Sequence, residues 1–461
     1  MHFTRLLAPF SVVVLAGCTT LTTPYTRPAL PDGPSWSAAS ATDTTQIAAD
    51  TWWAAFGDRN LETLIQEVTT RNNDMLAAAL RVQRARLQAD LASNALFPKL
   101  NDTLSTGSSH PLSGSNPSST SSSSSVGVSY EIDLWGKLAA RRDNASFEAQ
   151  ATAADYEAAR LATIGLTIET YFRIAHANQA LASAESSLAY VRQTQVFVKA
   201  QAESGAVSDL ELREVEQTVE TQLARIAELR QARLVLRNAL TVLLNGAPMP
   251  VPEPQALPRK RLPVIAAGLP ADLLARRPDL RAAEARLRGS LRGVDETTAS
   301  FYPGISLTGG LGTSSDQLIS FISNPVASLG AGVALSFLNL KDMKLTVAVS
   351  RTQYEEAVAG FRTALLNAFA DVANALGARA AYAEQARRLT NAYTAAQEVE
   401  RLTEARYRAG AITLRVFLDA QERRRSSEAA LADLKLAQLI NESTLFRAFG
   451  GSTTVEVPPG N

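Results

Sequence analysis

Long stretches of the chain lack the residues that end helices. Residues 137–202 contain no proline and a single glycine, Gly165. This predicts a helix of about 100 Å at 1.5 Å per residue. Gly205 is expected to end this helix as a left-handed cap, and a second helix should run back from Ser208. The apolar positions over 212–243 recur about every 3.4 residues, near the period of a left-handed coiled coil, so the helices must pack against partner helices.

Other stretches alternate between apolar and small or polar residues, which is typical of strands. This alternation covers residues 126–134 and 329–337, and a further strand is expected from Ile305. Segments of about ten alternating residues fit transmembrane strands that face lipid on one side and water on the other. An ordinary soluble, half-buried sheet has the same period, so the pattern alone leaves both possibilities open.

Prolines separate the helices from these strands. Pro98 is expected to end a first helix over 61–96, and Pro303 has the same place further along. Residues 105–125 are almost all Ser, Gly, Asn, Pro and Thr, and residues 314–325 lie at the corresponding place. We interpret both as loops between two strands, exposed outside the cell if the strands cross the outer membrane. A disordered linker is the alternative.

Four strands are too few to close a barrel, because known single-chain barrels begin at about eight strands. Open strand edges are not tolerated in lipid. If these strands lie in a membrane, several chains must therefore pool them. Three chains would supply twelve strands.

The chain also repeats itself at an offset of 205 residues. This period is far longer than that of a solenoid, so the repeat indicates one duplication rather than an array. Proline and glycine matches at one offset are harder to obtain by chance than alanine matches. The matching pairs are Pro98 and Pro303, Gly107 and Gly312, Gly205 and Gly410, and Gly246 and Gly451.

The N-terminus resembles an export signal. Arg5 is followed by a short apolar run over 6–15, too short to span a bilayer. The string Leu15-Ala16-Gly17-Cys18 resembles a bacterial lipobox, which predicts lipidation of Cys18 as the first mature residue. A buried cysteine near an ordinary cleavage site is the alternative. No later stretch reaches about 18 uninterrupted apolar residues, so no transmembrane helix is expected.

These features divide the chain into segments. A run of prolines after residue 247 indicates a stiff, extended joint between the two halves. The predicted layout is a signal peptide (1–17), a lipid-anchored N-terminal extension (18–60), a first repeat (61–247, with a strand pair over 98–135 and a long helical hairpin over 137–245), a proline-rich linker (248–268), a second repeat (269–451, with a strand pair over 303–338 and a long helical hairpin over 341–449) and a C-terminal tail (452–461).

Composition excludes several functions. Lys+Arg and Asp+Glu are both 45, which argues against a nucleic-acid partner, because such proteins need a basic field. Outside the signal only His110 and His176 remain, and Cys18 is the only cysteine. We find no metal-ligand cluster, phosphate-binding glycine loop or catalytic cysteine. The sequence therefore predicts neither an enzyme nor a bound cofactor or metal.

Several motifs together resemble the outer membrane factor family, the TolC/OprM type, in its lipoprotein branch known as the NodT group. The resemblance covers nearly the whole mature chain. The stretches that carry it are TWWAAFGD (51–58), YEIDLWGKL (130–138), LPADLLARRPDLRAAEARL (269–287), FYPGISLTGG (301–310), YRAGAITLRVFLDAQ (407–421) and NESTLFRAFGG (441–451).

The resemblance implies a mixed α/β membrane protein. Its homotrimer would form a twelve-stranded β-barrel in the outer membrane, continuing into a twelve-helix periplasmic α-barrel. Such a protein is a passive exit duct, held by outer-membrane lipid and docked to a periplasmic adaptor (membrane fusion) protein. An inner-membrane pump of RND or ABC type drives the export.

The resemblance also implies a gate and docking tips. The family's gate aspartate lies in a motif that corresponds to residues 418–421, so Asp419 is the gate candidate, with its repeat partner Glu214 as a second. A ring of three carboxylates in a narrow pore would favour cations. Glu422 stands where the family often has an arginine, which puts a family-like gate salt bridge in doubt. The implied adaptor-docking tips are Gly205, Ala206, Val207, Gly410, Ala411 and Ile412.

Each assignment has a simpler alternative. Asp419 and Glu214 could be ordinary solvated helix acids, and the tip glycines could serve the turns alone. Trp52 and Trp53 belong to a resembling motif, but core packing is their expected role. At the level of the whole protein, the alternative is a trimeric coiled-coil surface or adhesive lipoprotein, which should lack the duplication. Within transport, the duct could serve a drug pump, an ABC-type macrolide or siderophore exporter, or a metal-efflux pump.

Overall fold

The computed structural model describes residues 21–29, 44–47, 51–110, 119–259, 264–265, 276–315, 325–451 and 453–456. The predicted signal peptide, Cys18 and residues 452 and 457–461 of the predicted C-terminal tail lie outside these ranges. Within them the helices are α1 (Arg59–Arg71), α2 (Asn73–Asn94), α3 (Lys137–Glu203), α4 (Asp209–Leu243), α5 (Pro278–Ala299), α6 (Leu340–Arg408) and α7 (Leu414–Ala448). The strands are β1 (Thr44–Ile47), β2 (Lys99–Ser109), β3 (Ser119–Ile132), β4 (Val264–Ile265), β5 (Gly304–Ser315), β6 (Pro325–Ala334) and β7 (Thr453–Glu456).

The chain forms two compact units, and each draws on both sequence repeats. One comprises residues 1–31, 80–154 and 281–364, and the other comprises residues 32–79, 155–280 and 365–461. The first unit contains a four-stranded antiparallel sheet in the order β2-β3-β5-β6. The second contains a small sheet in the order β1-β7-β4.

Helices in the first unit approach closely because their contact positions are small. Ala151 and Ala154 of α3 pack against Ala282 and Ala285 of α5 in one buried cluster. Further along α5, a Cβ atom on Gly289 would lie 2.9 Å from the Asn144 side-chain oxygen. The small side chains at these positions thus allow close helix packing.

The second unit has an aromatic core. Trp52 is fully buried and stacks on Phe446 of α7, with ring centroids 5.2 Å apart. Phe56 packs on Phe172 of α3 with a centroid distance of 5.4 Å. Trp53 is 7% exposed, so the core role expected for both tryptophans is confirmed. A 3₁₀-helix over Trp52–Phe56 brings these rings together.

The prediction of one helix over 61–96 is wrong, because two helices meet at Asn72. The Asn72 backbone is extended, with ψ 128°. Its side-chain oxygen accepts hydrogen bonds from the backbone N–H groups of Asp74 and Met75, which caps α2. Its side-chain nitrogen donates to the Leu243 carbonyl at 3.1 Å. A buried asparagine with a distant partner thus interrupts the helix without proline or glycine.

The serine-rich stretch is mostly strand, so the interpretation of 105–125 as a loop is wrong at both ends. β2 continues to Ser109 and β3 begins at Ser119. Cross-strand side-chain contacts accompany the ladder, such as Ser105 Oγ to Ser123 Oγ at 2.8 Å. Backbone pairing does not require apolar side chains, which is why period-two patterning missed these residues. In the other pair β5 extends to Ser315, two residues into the loop predicted over 314–325, and β6 ends at Ala334, before the predicted end at 337.

Candidate functional site

The four-stranded sheet has one apolar and one polar face. Directly paired residues point to the same side of a sheet, and the register pairs Leu100 with Val128, Val126 with Leu311, and Gly309 with Leu329. Large side chains on this face are widely exposed, with Leu104 at 80% and Leu329 at 93%. An exposed apolar face of this extent indicates an apolar environment or partner.

The opposite face carries small and polar residues. The pairs there include Asn101 with Gly127, Ser129 with Thr308, and Ser306 with Gly332. Asn101 Nδ2 also donates to Ser129 Oγ at 2.9 Å. β2 and β6 stand at the edges of the sheet in the described chain. Their outer backbone groups can therefore pair with another chain.

The two helix–helix turns have the same geometry at repeat-related positions. Gly205 and Gly410 have φ of 73° and 70°, in the left-handed region, which confirms the cap predicted for Gly205. The amides of Ala206 and Ala411 donate back to the carbonyls of residues 201 and 406, at 2.8 and 2.9 Å. This is the Schellman pattern of helix ends. The six predicted tip residues are thus at two turns; Val207 and Ile412 are half-buried there and the other four are exposed.

The two gate candidates lie on the returning helices. Asp419 is exposed on α7, and Glu214 is half-buried on α4. Neither side chain forms an ion pair with a residue in the described ranges. The neighbouring Glu422 pairs with Arg425 at 2.7 Å and not with a tip residue. Two unpaired carboxylates on these helices remain available to other charges.

Polar contacts near the same turns tie the helices together, and the sequence did not reveal them. Tyr190 of α3 donates to Glu404 of α6 at 2.9 Å. Burial, helped by this bond, raises the pKa of Tyr190 to about 12. Arg424 of α7 pairs with Glu400 of α6 at 2.8 Å. Partners 24 or 214 positions apart leave no local signal, so only the fold could show these contacts.

An N-terminal segment over residues 21–29 is fixed to α5 by buried charges. The Thr23 amide and hydroxyl donate to Asp295, which also accepts from Arg292 at 2.7 Å. Arg27 pairs with Glu284 at 2.8 Å. Burial alone would raise the pKa of Glu284, but hydrogen bonds from its arginine partners outweigh burial and lower that pKa. These contacts hold the chain that follows the predicted Cys18 anchor.

Metal-binding clusters and membrane-crossing helices are both absent from the part of the chain that the structure describes. Within those ranges no cluster of three or more His, Cys, Asp or Glu side chains could hold a metal ion. None of the helices described is both long enough and apolar enough to cross a membrane.

Comparisons with known proteins agree over nearly the whole chain. The family model for outer membrane efflux proteins matches twice, over residues 64–246 and 269–451. The pyoverdine export outer membrane protein OpmQ of Pseudomonas putida is 30% identical over 98% of both chains. The cation efflux system protein CusC of Escherichia coli strain CFT073 is 29% identical over 96% of this chain and 98% of its own length.

A solved structure shares the fold. The open state of the MtrE outer membrane channel of Neisseria gonorrhoeae superposes with a TM-score of 0.81 and 28% identity. The match covers 94% of this chain and 98% of the MtrE chain. Likeness of this extent includes the strands and the long helices together.

Proposed function

Since this chain belongs to the outer membrane efflux protein family, we propose that it forms the trimeric exit duct of a tripartite export pump. Family membership makes it an outer-membrane channel for efflux. The proposal goes beyond family membership in assigning a trimer with a twelve-stranded barrel and a twelve-helix tube.

The main observation behind this proposal is the four-stranded sheet, which has one apolar face, one polar face and two unpaired edge strands. Four strands cannot enclose a pore, and unpaired edges are costly in lipid. Three copies joined between β2 of one chain and β6 of the next would remove every edge and supply twelve strands. The exposed apolar face, with residues such as Leu104 and Leu329, would then face lipid, and the serine- and glycine-rich face would line water.

Anchoring and docking complete the proposal. Cys18 would carry the lipid that holds the chain to the outer membrane, as its lipobox-like context suggests. The exposed turns at Gly205 and Gly410 would dock a periplasmic adaptor, which links the duct to an inner-membrane RND or ABC pump. The two relatives named for pyoverdine export and cation efflux are almost equally identical to this chain, so the proposal assigns conduction and not a particular cargo.

Asp419 and Glu214 are proposed to narrow the periplasmic end. In a trimer each would contribute a ring of three carboxylates, which favours cations and raises a barrier to anions. Their lack of ion pairs in the described part of the chain supports this role, because no neighbouring cation cancels the negative electrostatic field of either carboxylate.

Single-channel conductance of purified protein in planar bilayers tests the proposal. Wild type should form trimers by native mass spectrometry and conduct weakly, and Asp419→Ala should conduct severalfold more. Asp342→Ala removes another exposed, unpaired aspartate at the start of α6 and serves as the control, with conductance unchanged. Equal conductance of wild type and Asp419→Ala would show that Asp419 does not form the gate. Folded trimers without any conductance would refute the duct and favour a surface lipoprotein.

A further inference from the structure

An apolar cleft lies at the base of the four-stranded sheet. It is formed between the end of α5 and the first turns of α6 and has a volume of about 660 Å³. Its walls include Phe301, Phe337, Leu340 and Met343. A volume of this size is within the range of small-molecule sites, which are mostly apolar with a few polar groups.

The cleft follows directly on the apolar face of the sheet. Pro303, which lines it, immediately precedes β5, and Phe337 and Leu340 follow β6 within six residues. Phe337 is 39% exposed and Leu340 is 60% exposed. Trp135 packs on Tyr302, another wall residue, with ring centroids 5.0 Å apart. Such aromatic residues are typical of the boundary between lipid and water.

Two cations stand at the cleft without an acidic partner. Lys344 and Arg351 line it, and no carboxylate does. Neither forms an ion pair with any residue in the described ranges. Arg351 also lines an adjacent cleft of about 700 Å³, which contains Asp295 and Glu355. Asp295 is already bound by Thr23 and Arg292, and Glu355 forms no ion pair with Arg351.

The cations lie on the side away from the sheet. Along α6, Lys344 is four residues and Arg351 eleven residues beyond Leu340, or roughly 6 and 16 Å at 1.5 Å per residue. A phospholipid in the periplasm-facing leaflet has its phosphate toward the helices and its tails toward the sheet. Its polarity therefore matches that of the cleft.

We propose that this cleft binds one anionic phospholipid of the periplasm-facing leaflet per chain, with the phosphate on Lys344 and Arg351 and a tail against Phe301 and Phe337. The inference rests on the proposed outer-membrane placement of the sheet. Clusters of cations beside apolar grooves favour anionic lipid in this way.

The chain's own lipid is the main competing occupant. The Leu21 amide donates to the Trp135 carbonyl at 3.4 Å, so the segment that follows Cys18 passes near this region. A diacylglyceryl group on Cys18 carries no phosphate and would leave both cations unpaired. Charge complementarity therefore favours a free phospholipid. A second copy of the chain is the other competing occupant.

Native mass spectrometry of detergent-solubilised trimers, titrated with dioleoyl phosphatidylglycerol or phosphatidylcholine, tests the proposal. We expect up to three phosphatidylglycerol molecules per trimer and weaker phosphatidylcholine binding. The double variant Lys344→Gln/Arg351→Gln should lose affinity for phosphatidylglycerol about thirtyfold, since each cation contributes about fivefold. Arg362→Gln removes an exposed cation further along α6 and should bind like wild type. Equal binding of the two lipids, or of the double variant and wild type, would overturn the proposal.

Two further variants identify the occupant. Ala348→Trp fills the cleft while keeping both cations, and it should abolish the saturable binding; unchanged binding would overturn the site. Cys18→Ser should bind phosphatidylglycerol like wild type, whereas a clear gain would show that the protein's own acyl chains fill the cleft. Trimers that conduct in planar bilayers but bind no lipid would refute this inference alone and leave the proposed duct standing. Trimers that bind lipid but never conduct would instead refute the proposed duct.

Discussion

The buried carboxyl group of Glu442 should make the stability of the protein depend on pH. Glu442 lies on α7 with its side chain 1% exposed, and its Oε1 atom is 3.0 Å from Arg379 Nε. The other oxygen, Oε2, is buried and has no hydrogen-bond partner in the described structure. Burial raises the pKa of Glu442 to about 7, although the charge of Arg379 lowers it in part.

The sign and size of the effect follow from this pKa. In the unfolded chain this carboxyl group has its ordinary pKa of 4.5. Between pH 4.5 and about 7 the folded state holds this proton more tightly than the unfolded state, so the free energy of unfolding falls as the pH rises through that window. At 1.36 kcal/mol per pKa unit the loss is roughly 3 kcal/mol per chain. Glu442→Gln mimics the protonated form and should remove this loss.

Guanidinium unfolding at pH 5, 6, 7 and 8 measures the prediction. Glu442→Gln should be close to wild type at pH 5 and more stable by roughly 2–3 kcal/mol at pH 8. Glu422→Gln changes an exposed glutamate of the same helix and is the matched control against which the pH dependence of Glu442→Gln is compared. A pH-independent difference between Glu442→Gln and wild type would refute the argument, because it would mean that Glu442 stays ionised throughout.

The other predictions concern stability and local opening. Trp52→Ala should lower the free energy of unfolding by about 3–5 kcal/mol, since it leaves a cavity where the indole ring stacks on Phe446. A guanidinium unfolding midpoint equal to that of wild type would contradict this packing role. Gly410→Ala places a side chain on a residue with φ 70° and should lower the free energy of unfolding by about 1 kcal/mol in the same assay. A stabilising effect would be inconsistent with a left-handed turn. Asp295→Ala leaves Arg292, 9% exposed, without its carboxylate. Hydrogen exchange over residues 21–29 should then speed up at least tenfold, and unchanged exchange would show that other contacts hold this segment.

Much of the fold could be predicted from local pattern. The helix expected over 137–202 is observed as Lys137–Glu203, because a long run with no proline and a single glycine contains almost no residue that ends a helix. The glycine at 205 ends it in the left-handed region, as its missing side chain allows. The candidate gate was harder to predict from local pattern. Asp419 and Glu214 were located by family resemblance, and their proposed role depends on symmetry copies of the chain.

The failures have a common cause. Asn72 interrupts a helix through a bond to the Leu243 carbonyl, 171 positions away. The strands extend into the serine-rich stretch because the ladder is made by backbone groups, whatever the side chains are. The strand pairing has no local signature, and the bond from Asn72 to Leu243 depends on a partner that the fold supplies.

By itself the sequence determined the periodic features of this protein: the long helices, the alternating strands, the turn glycines and the duplication that repeats them. The helices, strands and turns depend on residues within a few positions of one another, where backbone sterics and side-chain periodicity act directly, and the duplication is visible by comparing the chain with itself. Only the tertiary structure decided which side chains meet across tens to hundreds of positions, such as Arg379 with Glu442 and Thr23 with Asp295. Such contacts, and the cleft beneath the sheet, arise from packing, which a linear pattern does not encode.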